Sequence, residues 1–263
     1  MTVEMPKFFE YMKFIGNLKK VERTGWVRHG VKHPESVAEH MYRMAMIAFA
    51  LPSDSNLDRD KCMKIALVHD MAESIVGDIT PSCGVSKTDK SKMEEDATHH
   101  IASFLPGHGA QEVLQLWREY EHQLSPEAMF VKDLDKFEMI FQALEYEKAE
   151  RRGGDLEEFF VHTLEKHKFS SDIVKGWADQ VISVRGSVKD SDWEAGLLDA
   201  KKTITSSLPS LPASSAVSPV VTTPSAVLSS SSSPSTTTTS SSLTRQLSPA
   251  KKLKVDAGGD SSL

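Results

Sequence analysis

The chain has 263 residues and a net charge of −6, and its charges are unevenly distributed. Residues 201–263 carry six basic and two acidic residues, which leaves residues 1–200 with 25 basic and 35 acidic residues, a net charge of −10. So acidic a region is not typical of nucleic-acid-binding proteins. The longest purely apolar run, residues 44–51, is far shorter than the roughly 20 residues that cross a bilayer, which argues against a membrane protein.

The composition changes near residue 195 and predicts two regions. No aromatic residue follows Trp193, and residues 203–249 consist mostly of serine, threonine, proline and small aliphatic residues. Such a segment cannot bury enough apolar surface to offset the entropy of ordering it. We therefore expect one globular domain over residues 1–195 and a disordered tail over residues 196–263, which ends in a short basic patch.

The N-terminus and the cysteines favour an intracellular protein. The N-terminal segment has acidic residues and lacks the apolar stretch and cleavage site of a secretory signal. Two cysteines, Cys62 and Cys83, cannot form a disulfide framework, so reduced thiols are the simpler interpretation. The cytoplasm is the expected location, and the basic patch in the tail is compatible with a nuclear address.

The region before residue 195 predicts an all-α fold. Apolar residues recur at helical spacing, and no alternating stretch with hairpin punctuation is found. The predicted helices cover, in chain order, residues 8–18, 36–51, 58–76, 90–105, 110–122, 126–151, 156–168 and 172–184. Ser36 and Glu39 have the spacing of a capping box, and Gly77 ends the third predicted helix.

The segment IALVHDMAESIVGDITP, residues 65–81, carries the strongest chemical signal. His69 and Asp70 are adjacent, and Glu73 follows at helical spacing, so that these polar groups interrupt an apolar helix face. Burying them is costly unless a divalent cation compensates the charge by binding the imidazole and the carboxylate together. Asp78 follows Gly77 and can turn back toward the same place. Glu73 as a solvated partner and Asp78 as a simple turn residue remain the structural alternatives.

Further ligands are needed to complete a metal site. His40 lies in SVAEHMYRMA on the apolar face of the second predicted helix. In VKDLDKFEMIFQALEYEK both Asp133 and Asp135 are candidates, and their spacing does not distinguish them. A histidine, then a His-Asp pair, then a distant aspartate is the order found in HD-domain metallophosphohydrolases.

The segments SVAEHMYRMA, IALVHDMAE, GDITP and VKDLDKFEMIFQALEYEK together resemble the HD-domain-containing protein 2 group, which is related to the bacterial 5′-deoxynucleotidase. The resemblance covers roughly residues 5–185. It implies an HD-domain helical bundle, a homodimer, and hydrolysis of deoxyribonucleoside 5′-monophosphates to nucleoside and phosphate. It also implies a divalent metal ion, with Mn, Co, Mg, Fe, Cu and Zn all compatible with the expected ligands.

The resemblance assigns roles to individual positions. The residues that match the metal ligands of the family are His40, His69, Asp70 and Asp135. Glu73 matches the acid beside the attacking water. Asp78 and the main chain of Ile79 match a second acidic element near the metal and the substrate, where a second metal ion is an open alternative.

Two further positions match residues that contact the nucleotide. Arg23 matches an arginine that faces the phosphate, and a bidentate guanidinium suits two phosphate oxygens. Trp26 matches a tryptophan that faces the nucleotide, although Thr24 and Gly25 separate it here from the arginine. An ion pair for Arg23 and a core position for Trp26 are the alternatives.

The sequence therefore predicts a metal-dependent 5′-deoxynucleotidase. Two other functions remain open. One is a different HD-type phosphohydrolase, such as a phosphodiesterase or a triphosphohydrolase. The other is a non-catalytic scaffold that a metal stabilises and whose tail recruits partners. Glu73, Asp78 and Arg23 favour an enzyme, because a structural metal site needs only its ligands.

Overall fold

Helices make up the regular structure of residues 4–166 and 169–187, the part of the chain that this computed structural model describes. The α-helices are α1 (Met5–Asn17), α2 (Thr24–Arg28), α3 (Val37–Ile47), α4 (Arg59–Val68), α5 (Glu73–Val76), α6 (Lys87–Ala102), α7 (Gly107–Glu121), α8 (Pro126–Ala149), α9 (Glu157–Lys166) and α10 (Asp172–Ser187). Short 3₁₀ helices cover Ala48–Ala50 and Pro81–Cys83. The one β-bridge found in these residues joins Glu22 and Ser36. The predicted all-α fold is confirmed.

Two predictions concern residues that the structure does not describe. The tail of residues 196–263 and the domain boundary at residue 195 lie outside the described residues. Within the described residues, no helix is both long enough and apolar enough to span a bilayer.

The long helix α8 lies at the centre of the bundle and packs against α3, α4, α7, α9 and α10. Its apolar side includes Phe130, Leu134, Ile140 and Leu144, all of them almost completely buried. Ile65 from α4 and Met44 from α3 belong to the same core. This packing brings α3, α4 and α8 together at one end of the core, where the polar residues singled out above lie.

Local signals in the sequence explain where the central helices begin. The capping box at α3 is confirmed: the Ser36 hydroxyl accepts the backbone N–H of Glu39 at 3.3 Å, and the Glu39 carboxylate accepts the backbone N–H of Ser36 at 2.6 Å. At α8, Pro126 occupies the first turn and the Ser125 hydroxyl accepts the backbone N–H of Ala128 at 3.2 Å.

The predicted continuous helix over residues 58–76 is wrong. Helix α4 ends at Val68, residues 69–72 form a turn, and α5 begins at Glu73. No proline or glycine marks this interruption, so the periodicity gave no signal of it. The end at Gly77, which has a φ of 77°, is confirmed. Helix α2 was not predicted because five residues are too short for a periodic pattern, and the other predicted helices are present with ends shifted by a few residues.

Asp133 connects α8 to the segment that begins α10. One of its carboxylate oxygens accepts the backbone N–H groups of Ser170 and Ser171 and the hydroxyl of Ser170, each at 2.8 Å. Its side chain is almost completely buried. Asp133 is therefore engaged in the fold, which leaves Asp135 as the aspartate of this pair that is available to the polar cluster.

We expect Asp133→Ala to lower the free energy of unfolding by about 2–3 kcal/mol, because three donors lose a charged acceptor. Urea unfolding followed by helix circular dichroism measures this change. Asp179→Ala, which removes an exposed carboxylate from α10, is the matched control and is expected to change the value by less than about 0.5 kcal/mol. Equal unfolding midpoints for the two variants would contradict the structural role of Asp133.

Candidate active site

A cavity of about 570 Å³ lies beside the turn between α4 and α5. This volume falls within the range of small-molecule sites. Its charged lining residues are Arg23, Asp70, Glu73, Asp78, Lys87, Lys90, Glu94, Glu121, Lys132, Asp135 and Lys136. Its other lining residues include Trp26, His69, Ile79, Tyr120, Met139 and Phe159. Most of the residues predicted from the sequence therefore surround one space.

The turn after α4 directs two adjacent side chains into this cavity. The backbone N–H of His69 still bonds to the Ile65 carbonyl as in a helix, but Met71 bonds to Val68 and Glu73 to Asp70, each three residues back. On a continuous helix adjacent side chains point about 100° apart. Here His69 Nε2 and Asp70 Oδ2 lie only 3.1 Å apart.

The four residues that match the metal ligands converge on one point. His40 Nε2 lies 3.5 Å from Asp135 Oδ1 and 3.9 Å from Asp70 Oδ2. Ligand atoms of His40, His69 and Asp135 all lie within 4.8 Å of one another. Helix α3, the turn after α4 and helix α8 thus each contribute to one cluster.

Both imidazole rings are oriented by their other nitrogen. His40 Nδ1 donates to the buried Glu138 carboxylate at 2.6 Å, and His69 Nδ1 donates to the Ala66 carbonyl at 2.9 Å. These bonds leave the two Nε2 atoms directed into the cluster, where both are buried and lack a hydrogen-bond partner among the described residues. Orientation of the ligating histidine by a carboxylate or carbonyl is typical of metal sites. The residues present therefore fit a divalent cation.

Charge in the cluster points to the same kind of ligand. Burial and Arg23 lower the pKa of His40, but Glu138 and Asp135 outweigh them and raise it to about 9. Burial raises the pKa of Asp135, whereas Lys136, Lys132 and His40 hold it well below its usual value. Because metal ligands must be deprotonated, a divalent cation would take the place of the proton on His40.

Arg23 lies against the open side of this cluster. Its guanidinium is 3.3 Å from Asp70 and 4.0 Å from both Asp78 and Asp135. The side chain is largely buried, and these carboxylates raise its pKa although burial opposes the charge. Arg23, which was expected to face the phosphate, therefore lies at the cavity. In this structure its guanidinium pairs with carboxylates, as the alternative interpretation expected.

Glu73 and Asp78 have different surroundings. Glu73 is buried at the cavity, and its Oε2 lacks a hydrogen-bond partner among the described residues. Burial, reinforced by Asp70 and Asp78, raises the pKa of Glu73 well above its usual value. Asp78 Oδ2 accepts the backbone N–H of Thr24 at 2.6 Å, and the Thr24 hydroxyl donates to the Asp78 carbonyl at 2.7 Å. Asp78 thus fixes the start of α2 beside the cavity.

The remaining predicted positions are partly engaged elsewhere. The carbonyl of Ile79, predicted as a metal contact, accepts Lys90 Nζ at 2.8 Å. Trp26 borders the cavity but is only 2 % exposed, and its indole N–H donates to Glu35 at 3.0 Å. Its ring lies 4.3 Å from that of Phe159, between centroids. The indole thus has the core environment considered as the alternative, with one edge at the cavity.

Sequence reasoning missed three side chains next to Asp135. The Tyr120 hydroxyl donates to Asp135 Oδ2 at 3.0 Å, and its ring lies 4.7 Å from that of His69. Lys132 and Lys136 reach the same oxygen of Asp135 at 3.4 and 3.3 Å. Both lysines were visible in VKDLDKFEM, one turn apart on either side of Asp135, and this spacing was the available signal. Tyr120 comes from α7, so nothing local could have indicated its contact.

Comparison with known proteins agrees with this geometry. The sequence model of the HD domain family matches residues 15–176. The Xenopus laevis protein named 5′-deoxynucleotidase HDDC2 is 51 % identical over 159 residues, which make up 60 % of this chain and 79 % of that protein. The Schizosaccharomyces pombe protein named 5′-deoxynucleotidase hdd1 is 44 % identical over 180 residues, 66 % of this chain and 88 % of that protein.

A solved structure has the same fold. The crystal structure of the PH0347 protein from Pyrococcus horikoshii OT3 is 31 % identical, covers 68 % of this chain and 98 % of its own, and superposes with a TM-score of 0.55. The family match spans more than half of the chain, and the Xenopus laevis relative is aligned over most of its length. The chain therefore belongs to the HD domain family, within the HD-domain-containing protein 2 group that its motifs resemble.

Proposed function

We propose that this protein is a metal-dependent 5′-deoxynucleotidase, which hydrolyses deoxyribonucleoside 5′-monophosphates to nucleoside and phosphate. The observation that carries the proposal is the convergence of two imidazole Nε2 atoms and two carboxylates beside a cavity that Arg23 and Glu73 also line. The relatives that are about half identical to this chain bear the name of this activity.

The metal would be held by the side chains of His40, His69, Asp70 and Asp135. A divalent cation bound there would lower the pKa of a water molecule and offset negative charge on the phosphoryl oxygens. Two histidines and two carboxylates suit Mn, Co, Mg, Fe, Cu or Zn, and Mn²⁺ and Co²⁺ are the first ions to test.

Glu73 is proposed to accept the proton of the attacking water. Its side chain lines the cavity, and its Oε2 atom has no hydrogen-bond partner among the described residues, so that the ionised carboxylate can take this proton. Water attacks phosphorus, the bond from phosphorus to the 5′-oxygen breaks, and a proton must reach that oxygen. The proton that Glu73 takes from the water balances this requirement, and we assign to Asp78 its transfer to the leaving 5′-oxygen. Asp78 Oδ2 accepts the Thr24 N–H, and its Oδ1 lies 4.0 Å from the Arg23 guanidinium.

Arg23 is proposed to bind the phosphate, which requires it to exchange part of its contact with Asp70 for substrate oxygens. Trp26 is proposed to border the nucleoside. Because its indole is fixed by Glu35 and Phe159, it would act as a rigid wall.

The two other functions receive less support. A purely structural metal site does not require a buried acid such as Glu73 or an arginine beside the ligands. A triphosphate or a diester substrate would be favoured by a long basic channel, whereas six acidic and five basic residues line this cavity.

We also propose a homodimer and an intracellular location. Helix α1 exposes Met5, Phe9 and Met12, with 58 %, 56 % and 47 % of their surfaces accessible. Contiguous exposed apolar side chains are typical of association surfaces. Cys62 and Cys83 are free thiols, which suits a reducing compartment, with the cytoplasm as the proposed location.

Phosphate release from dAMP and AMP, measured in parallel after EDTA treatment and readdition of Mn²⁺ or Co²⁺, tests the activity. We expect phosphate release to depend on the metal and to be much faster with dAMP than with AMP. A metal-loaded protein that releases phosphate from neither compound would contradict the proposal and favour another phosphoester or the scaffold.

We expect Glu73→Gln to keep the fold and the bound metal but to lower kcat by at least about 100-fold, because the amide cannot take up the proton. Metal content and thermal unfolding of the variant serve as controls. Unchanged turnover would remove Glu73 from the mechanism.

Deleting residues 200–263 is expected to leave kcat and KM unchanged within about twofold, since every proposed site residue lies within residues 23–136. The measurement is turnover of the truncated chain beside the full chain. A truncated protein that folds and binds metal but is inactive would show that the tail contributes to catalysis.

A further inference from the structure

Two lysines stand on the same side of the cavity, one turn apart on α8. Lys132 Nζ and Lys136 Nζ lie 3.4 and 3.3 Å from a single atom, Asp135 Oδ2. Both side chains line the cavity and are 38 % and 29 % exposed. They thus remain accessible to a ligand, in contrast to the buried metal-binding cluster.

The contacts of Asp135 do not account for both lysines. Its Oδ2 already accepts the Tyr120 hydroxyl at 3.0 Å, while Oδ1 faces His40 at 3.5 Å. Distances of 3.3–3.4 Å are long for charge-assisted hydrogen bonds, which are typically about 2.7–2.9 Å. Each ammonium group has three N–H donors. Lys132 Nζ directs one of them to the Tyr120 hydroxyl at 3.0 Å and a second to Asp135, which leaves it a third. Donors are therefore left over, and they lie next to the metal-binding cluster.

The charge balance of the cavity requires additional positive charge if a phosphate is to bind. With Glu73 ionised, as its role as a base requires, the formal charges of Asp70, Glu73, Asp78 and Asp135 together with Arg23 and one divalent cation sum to about −1. The lysine pair changes this to about +1. The four remaining charged lining residues, two lysines and two glutamates, cancel. A phosphomonoester carries a charge of about −1.5 to −2 at pH 7, so the positive charge of the lysine pair favours its binding.

We propose that Lys132 and Lys136 bind the phosphate group of the substrate, on the side of the metal site formed by α8. Because both ammonium groups already contact one oxygen atom, a single tetrahedral anion can accept a hydrogen bond from each. Arg23 contacts the cluster from the start of α2, so the phosphate would be bound by cations from two elements. This inference rests on the proposed phosphomonoesterase function and adds its substrate-binding residues.

A positioning role for the lysines makes the opposite prediction for the metal. If they served only to orient Asp135, their removal would weaken metal binding and leave phosphate binding unchanged. If they bind phosphate, Tyr120 still holds Asp135, and removing a positive charge near the site leaves metal affinity equal or higher. The two roles therefore differ in the sign of the effect on the metal.

The test compares the full-length variants Lys132→Met and Lys136→Met with Lys64→Met. Methionine keeps the length of the side chain without its charge. Lys64 is a matched control, because it is 58 % exposed, pairs with Glu112 and does not line the cavity. Lys132 also lies over the Tyr120 ring, 4.6 Å from its centroid, so Lys136→Met is the variant less apt to disturb packing. Thermal unfolding verifies each fold.

Calorimetry measures Mn²⁺ binding to the metal-free proteins and inorganic phosphate binding to the Mn²⁺-loaded proteins. We expect each cavity variant to bind phosphate about tenfold more weakly, to show a similar rise in KM for dAMP, and to bind Mn²⁺ at least as tightly as the wild type. Lys64→Met should match the wild type in all three measurements. Binding of deoxyadenosine, which lacks the phosphate, should be unchanged in every variant.

Two results would overturn the inference: unchanged phosphate affinity in both cavity variants, or weakened Mn²⁺ binding with normal phosphate binding. Failure of the proposed function is recognised separately, since it requires a wild-type protein that binds Mn²⁺ but does not hydrolyse dAMP. A wild type that hydrolyses dAMP, beside lysine variants with unchanged KM and phosphate affinity, overturns the lysine assignment alone.

Discussion

The geometry of the site depends on a buried hydrogen bond of 2.6 Å between His40 Nδ1 and the Glu138 carboxylate. Both side chains are inaccessible to solvent. Burying the Glu138 carboxylate costs free energy unless positive charge neutralises it. Arg43 is its second partner, and the Arg43 Nε donates to Glu138 at 2.7 Å. Burial raises the pKa of Glu138, whereas His40 and Arg43 lower it below the usual value. The bond joins α3 to α8 and directs the other imidazole nitrogen toward Asp135.

Arg43 extends this network along α8. Besides Glu138, its guanidinium bonds to Gln142 and Glu145, which follow at intervals of four and three residues. The polar stripe of α8 therefore faces α3, and the apolar stripe faces the core. A loss of Glu138 would release His40 and leave Arg43 with fewer acceptors, so the orientation of a metal ligand and the packing of two helices depend on the same group.

The sequence allowed the all-α fold and the approximate order of the helices to be predicted, because apolar residues recur at helical spacing, most clearly in α1, α3 and α7. It also indicated His40, His69 and Asp70 as one polar set within apolar surroundings. The break after Val68 could not be predicted, since it arises from a change of hydrogen-bond partner without a glycine or proline. Tyr120 and Glu35 could not be found either, because their roles depend on contacts between elements that are distant in sequence.

The two aspartates of α8 show what sequence periodicity can predict and what only the packing of the helices determines. Asp133 and Asp135 are two residues apart, so their side chains leave the helix about 200° apart. One faces the segment before α10, where backbone donors surround it, and the other faces His40. Periodicity alone indicates that they lie on opposite faces, without saying which face meets α3. The packing of α3 against α8 decides this, and it thereby assigns one carboxylate to stability and the other to the site.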